Sequence, residues 1–361
     1  MTHVLLLIGC AAAIYFACEW FVNAVEWLGV RLKVGPVAVG TVLAAVGTAL
    51  PESVVTLVAV LFGSPEHGND IAVGAAMGGP LVVGTIAYGV TGAMLMWRKK
   101  RLRVAVVVGP TPARGAATGT ASPSAGTTTP TLTDPGDLAG VDTVRLARDQ
   151  TWFLAIFTVK VSLGLVAFAI KPWLGLMFFA VYAVYFVKEI KGTGEQASAL
   201  DLEPLKLQPR RAAPGTLAVT VQILVTLAVI FGASQLFVKQ LEWAGPALGL
   251  PAVVVALLLS PIATELPEIM NAIIWVRQGK TELALANISG AMMIQATIPS
   301  GIGILFTPWK FNGPLILAGV VTMASVSYLL WLLRTHRVTA GRLAAAAGFY
   351  AVFAVGLVVM L

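Results

Sequence analysis

Long runs of apolar residues, separated by short polar or basic stretches, are the dominant pattern along this chain of 361 residues. A helix needs roughly 20 apolar residues to cross about 30 Å of hydrocarbon, and several runs exceed that length. The pattern predicts ten membrane-spanning helices, at residues 4–29, 35–62, 71–97, 151–170, 172–190, 216–238, 247–276, 283–306, 312–333 and 343–361. Prolines inside several spans indicate kinked or broken helices, which a bilayer tolerates only where the backbone faces protein or a wet cavity.

The composition agrees with a membrane protein. Apolar residues make up 58% of the chain and charged residues only 11%, whereas a soluble domain has about 25% charged residues. We therefore predict an all-α polytopic membrane protein. The three histidines lie in loops or near a terminus, and the chain has no glycine-rich nucleotide loop. We therefore expect that the protein is neither an enzyme nor an ATP-driven pump. We also expect that it binds no nucleotide and holds no cofactor tightly.

Basic residues alternate between successive loops. They concentrate in the loops after predicted spans 1, 3, 5, 7 and 9, whereas the other loops hold only Lys171, Lys239 and Lys310. Since lysine and arginine favour cytoplasmic loops, this predicts a multi-pass protein of the cell (plasma) membrane with both termini outside. The net charge of +7 is explained by the basic residues of these loops, so it requires no nucleic-acid partner. The expected partner of the chain is the lipid bilayer.

Two segments of the chain are similar to each other. Residues 21–52 align without a gap with residues 237–268, and thirteen of the 32 positions are identical, including a Glu-Trp pair and the closing Leu-Pro-Glu. Apolar bias alone would not place these polar residues in register, so the sequence indicates an internal duplication. An odd number of spans separates the copies, which therefore have opposite orientations. Inverted repeats build secondary transporters, with the binding site near the bilayer midplane.

The duplication predicts how the chain is divided. The segments are a first repeat at 1–109 with helices 1–3, a disordered cytoplasmic loop at 110–147, helices 4–5 at 148–191, a cytoplasmic linker at 192–214, and a second, inverted repeat at 215–361 with helices 6–10. The loop is rich in Pro, Gly, Thr and Ala and has no periodicity, which is typical of disorder. We favour a tether over a regulatory role for it.

Each repeat places a glutamate inside an apolar span, Glu52 in the first and Glu268 in the second. A carboxylate is costly in a bilayer and usually marks an ion pathway. Thr48 and Thr264 lie four residues before these glutamates, which puts hydroxyl and carboxylate on one helix face. Hard cations such as calcium take such oxygen ligands. The alternative is a pair of helix kinks whose glutamates have structural partners.

The prolines add a second kind of ligand. Pro51 and Pro267 each remove a backbone donor and leave a carbonyl about four residues earlier without its helical partner.

"GTALPE" (47–52) and "ATELPE" (263–268) resemble the paired repeat signatures of the cation/calcium exchanger superfamily, the sodium/calcium exchangers. "GKTELALANISG" (279–290) also resembles the family sequence after its second signature. The resemblance implies ten helices as two inverted five-helix repeats, and it implies metal ligation by Glu52 and Glu268 with help from Thr48 and Thr264.

The sequence departs from the family pattern in its second polar clusters. The first copy reads "GGPLVV" (78–83), without a side-chain ligand, and the second reads "GAMMIQ" (290–295), which leaves Gln295 as the candidate ligand. One carboxylate is added, because Glu265 stands where the family has serine. We hypothesise that Glu265 joins the metal site and lets a proton replace part of the sodium load. The alternative is that Glu265 faces a loop or a basic residue near the cytoplasmic side.

Other charged residues within or beside spans have two interpretations each. Glu26 and Glu242 adjoin tryptophans, which favours helix-end anchors over ligands. Glu19 and Lys160 lie deeper and either pair with each other, the favoured interpretation, or belong to the pathway. Asn271, one turn past Glu268, is a further candidate for contact with an ion or water.

Together these features predict a secondary active cation antiporter that exchanges calcium, or another divalent cation, for sodium or protons by alternating access. One alternative is a transporter of the same fold with a different cation or purely proton coupling. The other is a membrane scaffold or sensor that retains the fold without transporting ions.

Overall fold

The structure, a computed structural model, describes residues 2–35, 38–62, 68–108, 141–191, 202–247, 258 and 260–360. Within these residues the chain is helical and contains no strand. The helices are α1 Thr2–Leu32, α2 Ala45–Phe62, α3 Gly68–Val82, α4 Tyr88–Val108, α5 Thr143–Leu165, α6 Gly175–Lys191, α7 Thr216–Ala247, α8 Ser260–Thr264, α9 Leu266–Gln278, α10 Thr281–Phe306, α11 Gly313–Arg334, α12 Ala340–Ala344 and α13 Ala347–Met360. π-Helical turns at Val39–Ala44 and Val83–Ala87 precede α2 and join α3 to α4.

Seven stretches of the described helices are long and apolar enough to cross a membrane. They are His3–Leu32, Ala72–Arg101, Lys171–Lys191, Thr216–Phe237, Thr281–Phe306, Gly313–Arg334 and Ala340–Met360. Large apolar side chains on the outer faces of α1 and α7, such as Leu5, Ile8 and Leu217, are exposed to the surroundings. Such a surface is typical of contact with lipid. The chain is therefore a multi-pass membrane protein, while the total of ten spans stays a prediction.

α10 lies at the centre of the bundle. It packs against α2, α3, α5, α6 and α9, so it contacts helices of both predicted repeats. Glycine lets the backbones approach closely, as is usual between helices in membranes. The carbonyl oxygen of Thr41 occupies the place where a Cβ of Gly290 would lie. Gly40 lies equally close to α10, since a Cβ there would be 2.9 Å from the carbonyl oxygen of Leu283.

Two predicted segment boundaries differ from the structure or lie partly outside it. The predicted loop 110–147 is too long at its end, because α5 begins at Thr143, where the Asp142 side chain caps it by accepting from the Arg145 N–H at 2.9 Å. Residues 109–140 and 192–201 lie outside the described part. The rest of the linker packs on α1: Leu205 is buried, and the Trp27 indole N–H donates to the Glu203 carbonyl at 2.9 Å.

A charged cluster joins α5, α6, α10 and the π-helical turn before α2. Glu189 is buried and pairs with Arg145 and with Arg148, the latter at 3.0 Å. The Thr41 hydroxyl donates to the same carboxylate at 3.3 Å. Asp149 is also buried, accepts from the Ser289 hydroxyl at 3.3 Å and lies 3.8 Å from the Arg148 guanidinium. The cluster therefore ties the start of the first signature helix to the central helix.

The charge of Asp149 depends on pH within the physiological range. Burial, and secondarily the nearby Glu189 carboxylate, raises the pKa of Asp149 to about 7, although Arg148 and Arg145 act in the opposite direction. The residue lies two positions before the predicted span that begins at 151. An ordinary aspartate has a pKa of about 3.9 in an unfolded chain. The folded state therefore binds this proton more tightly than the unfolded state does.

The close approach at Gly290 predicts the effect of a single methyl group. Gly290→Ala should lower the melting temperature of the purified protein, because the added Cβ meets the backbone of Thr41, which cannot rotate away as a side chain could. Overpacking of this kind costs about 1–3 kcal/mol. The matched control is Gly232→Ala in α7, where a Cβ has no neighbour among the described residues and alanine is the better helix former. Equal melting temperatures for the two variants would contradict this packing.

The buried Asp149 predicts a pH dependence of stability. Its contribution is fully present below about pH 4 and is lost as the pH rises through about 7, with an upper limit of about 4 kcal/mol for three pKa units. Asp149→Asn keeps the acceptor for Ser289 but removes the ionisation. The melting temperature of the variant should therefore fall less than that of the wild type between pH 5 and pH 8. Glu203→Gln, which removes an exposed carboxylate, should leave the wild-type slope unchanged; parallel curves for all three proteins would refute the prediction.

Candidate cation-binding site

The first signature lies in the first turns of α2. This helix continues from Ala45 through Pro51 to Phe62 without a break. Thr48 is buried, and its hydroxyl donates to the Ala44 carbonyl at 3.2 Å, which leaves the oxygen lone pairs available as acceptors. Glu52 lies in the same helix, one turn after Thr48, but its side chain lies outside the described part. The predicted meeting of Glu52 and Glu268 therefore stays a prediction.

The second signature is broken where the first is continuous. α8 ends at Thr264, Glu265 has a non-helical backbone (φ −85°, ψ 3°), and α9 begins at Leu266 with Pro267 in its first turn. Proline is favoured at a helix start because the missing N–H would have no helical partner there. The half-buried Thr264 donates from its hydroxyl to the Pro261 carbonyl at 3.1 Å. The break places Glu265 at a junction between two short helices.

Glu265 lies in the interior of the protein and contacts another predicted site residue. It is fully buried, and the Gln295 amide of α10 donates to its carboxylate at 2.5 Å. α3 approaches from the other side: a Cβ at Gly79 would lie 2.7 Å from one carboxylate oxygen of Glu265 and 3.2 Å from the Gln295 side chain. Glu265 therefore does not face a loop, and elements of both predicted repeats enclose it.

Glu265 and Gln295 form the start of a polar interior, and Glu268 and Asn271 continue it along α9. Both side chains are fully buried, and their spacing of three residues puts them on the same helix face. Neither the nitrogen nor the oxygen of the Asn271 amide has a hydrogen-bond partner among the residues that the structure describes. A buried amide in this state costs about 1–3 kcal/mol. Its oxygen adds a further ligand type close to two buried carboxylates.

The remaining charged residues form contacts away from this polar interior. Glu26 accepts from the Trp275 indole at 2.8 Å and from Lys280 at 2.5 Å, so it anchors α1 to the end of α9. The predicted pairing of Glu19 with Lys160 is wrong: Glu19 lies 3.5 Å from Lys206 of the linker. The side chain of Glu242 lies outside the described part.

No cluster of three His, Cys, Asp or Glu side chains suited to a metal occurs in the described ranges. The structure instead groups Glu265 and Gln295 directly and places Glu268, Thr264 and Asn271 on the neighbouring turns. Such a set combines carboxylate, amide and hydroxyl oxygens, the donors that hard cations prefer. Its carboxylates lie in a helical bundle that crosses the bilayer, where a negative charge requires neutralisation by a partner, a proton or a cation.

Sequence reasoning missed the role of the glycines in "GGPLVV". The sequence shows them only as positions without a side-chain ligand, whereas in the structure Gly79 provides the space that Glu265 and Gln295 occupy. Gly78 does the same for the ring of Pro261, 2.7 Å from its Cβ position. The available signal was the coincidence of a lost side chain in one repeat with an added carboxylate in the other.

Comparison with known proteins identifies the family of the chain. The family described as sodium/calcium exchanger protein matches residues 2–190 and 218–360. The inner membrane protein YrbG of Escherichia coli (strain K12) is 24% identical over 315 residues, which cover 85% of this chain and 81% of YrbG.

Solved structures of the sodium-calcium exchanger NCX_Mj have the same fold. One, soaked with 2.5 mM Na+ and 0.1 mM Ca2+, superposes with a TM-score of 0.69 at 16% identity, covering 98% of this chain and 97% of that chain. Another, soaked with zero Na+ and Ca2+, gives a TM-score of 0.68 at 16% identity and covers 97% and 98% of the two chains.

The predicted family and fold class are thereby confirmed, and so is the general function. The family match extends over most of the chain and includes both signatures and the helices that enclose Glu265 and Glu268. The chain therefore belongs to the sodium/calcium exchanger protein family and is a cation antiporter.

Proposed function

We propose that this antiporter exchanges calcium, or another divalent cation, for sodium or protons by alternating access. The single observation that supports this best is a pair of fully buried carboxylates, Glu265 and Glu268, of which Glu265 is enclosed by α3 and α10. Within a bilayer such carboxylates require neutralisation, and a divalent cation with oxygen ligands supplies it. The proposed ligands are Glu52, Glu268, Thr48, Thr264, Glu265 and Gln295.

The exchange follows from charge balance. A divalent cation and a set of monovalent cations or protons can each neutralise the same carboxylates, so one occupant replaces the other without both being bound. The inverted repeats would present this site alternately to the two sides of the membrane. We propose the repeat boundaries given above and an orientation with both termini outside. The free energy comes from the ion gradients, and no covalent step is required.

Calcium flux tests the proposal directly. The protein would be reconstituted into liposomes or studied in inverted membrane vesicles. A sodium gradient, a pH gradient or no gradient would then be imposed across the vesicle membrane. Calcium uptake under one of these gradients supports exchange and identifies the coupling ion. Uptake of a different divalent cation would indicate the same fold with other cargo, and no flux of any cation would favour a scaffold or sensor.

Glu268→Gln is the first informative variant. The amide keeps the size of the side chain but removes the charge that a divalent cation needs, so calcium flux should fall at least about tenfold. Glu52→Gln should have an effect of similar size if the two glutamates share the ion. Glu203→Gln, on the exposed linker, is the matched control and should retain the wild-type flux. Wild-type flux in both Glu268→Gln and Glu52→Gln would contradict the proposed site.

Glu265→Gln separates the two possible coupling ions. The variant can still bond to Gln295 but has one carboxylate fewer in the buried site. If Glu265 carries part of the proton load, the ratio of pH-driven to sodium-driven calcium flux should fall relative to the wild type. An unchanged ratio, with Glu268→Gln inactive in the same assay, would show that Glu265 does not determine coupling.

A further inference from the structure

Lys160 of α5 is a fully buried lysine for which the proposed ion site has no assigned role. Its ammonium group donates to the Ala76 carbonyl of α3 at 2.8 Å and to the Ser300 hydroxyl of α10 at 3.1 Å. It also lies 4.6 Å from the centre of the Phe157 ring. Among the residues that the structure describes, no carboxylate forms an ion pair with it.

The partners of Lys160 lie next to two prolines inside helices. Pro80 lies inside α3 and has no N–H to donate to the carbonyl four residues earlier, which is that of Ala76. Pro299 lies inside α10 and leaves the Gln295 carbonyl in the same condition. The Ser300 hydroxyl donates to that carbonyl at 3.3 Å. The Lys160 ammonium group therefore bonds directly to the Ala76 carbonyl and is linked to the Gln295 carbonyl through the Ser300 hydroxyl.

This arrangement connects Lys160 to the buried carboxylates. Lys160 bonds to Ser300, Ser300 bonds to the backbone of Gln295, and the Gln295 side chain bonds to Glu265. A second route passes through α3, where Ala76 is one helical turn before Gly79, whose backbone faces Glu265. Lys160 and Glu265 are thus connected through hydrogen-bonded groups of α3 and α10 without forming an ion pair with each other.

The surroundings of the ammonium group are those of a monovalent cation. A carbonyl freed by a proline, a hydroxyl and an aromatic face are all groups that bind such cations in low-dielectric interiors. We propose that Lys160 is a tethered monovalent cation, whose ammonium group fills a position between α3, α5 and α10 that takes a free monovalent cation when the side chain is shortened. Its fixed charge offsets one carboxylate of the ion site and so lowers the number of mobile cations that the site needs. This second part rests on the proposed function.

Two variants of equal charge separate this proposal from a structural role. Lys160→Ala removes the charge and leaves space, whereas Lys160→Met removes the charge and fills the space. Melting temperatures of the purified proteins would be compared in choline chloride and in methylammonium chloride at equal ionic strength, because methylammonium reproduces the end of the lysine side chain and choline is too large to enter.

We expect methylammonium to raise the melting temperature of Lys160→Ala by about 2 °C or more, since a ligand that binds only the folded state stabilises it. The wild type and Lys160→Met should show no such shift. No shift in Lys160→Ala, or an equal shift in all three proteins, would overturn the proposal. Lys160→Ser, which leaves nearly the same space, replaces Lys160→Ala in the same comparison if the alanine variant does not fold.

Calcium flux in liposomes tests the functional part separately. Flux through Lys160→Ala should be reduced and then restored toward the wild-type rate by methylammonium, while flux through Lys160→Met should stay low. A wild-type protein that transports no calcium would refute the proposed function but leave the melting comparison intact. A melting shift without any effect on flux would limit Lys160 to a bound-cation position that does not influence exchange.

Discussion

A negative charge inside a bilayer has to be neutralised, and this requirement governs the interior of the protein. Glu265 and Glu268 are fully buried in a bundle whose outer faces are apolar. The low dielectric that makes them costly also makes their attraction for a cation strong. The interruption of the helix at Glu265, the space at Gly79 of α3 and the amide of Gln295 together position the Glu265 carboxylate.

The central helix transmits this arrangement to the rest of the bundle. α10 contributes Gln295 to the polar interior, Ser289 to the charged cluster with Asp149, and Gly290 to the close packing against Thr41. Thr41 in turn donates to Glu189 at the end of α6. The start of the first signature helix, the charged cluster and the polar interior are therefore connected through one rigid element.

Most of the fold follows from local sequence, because membrane spans depend on length and apolarity and the duplication depends on residues in register. The buried position of Glu268 follows from the same pattern. The neighbours of each polar residue do not follow from local sequence. Depth in the membrane alone pairs Lys160 with Glu19, whereas in the structure Lys160 donates to the Ala76 carbonyl and the Ser300 hydroxyl, and Glu19 lies beside Lys206 of the linker. Such contacts depend on how helices far apart in sequence are rotated about their axes.

The two signatures differ in the continuity of their helices as well as in their side chains. α2 passes through Pro51 as one continuous helix, whereas the corresponding segment of the second repeat is interrupted at Glu265 and resumes as α9. Two backbone hydrogen bonds of 3.1 Å still span the interruption, from the Glu265 N–H to the Pro261 carbonyl and from the Ile269 N–H to the Glu265 carbonyl. It follows that the two halves of the molecule are related in sequence but not symmetric in backbone structure at their signatures.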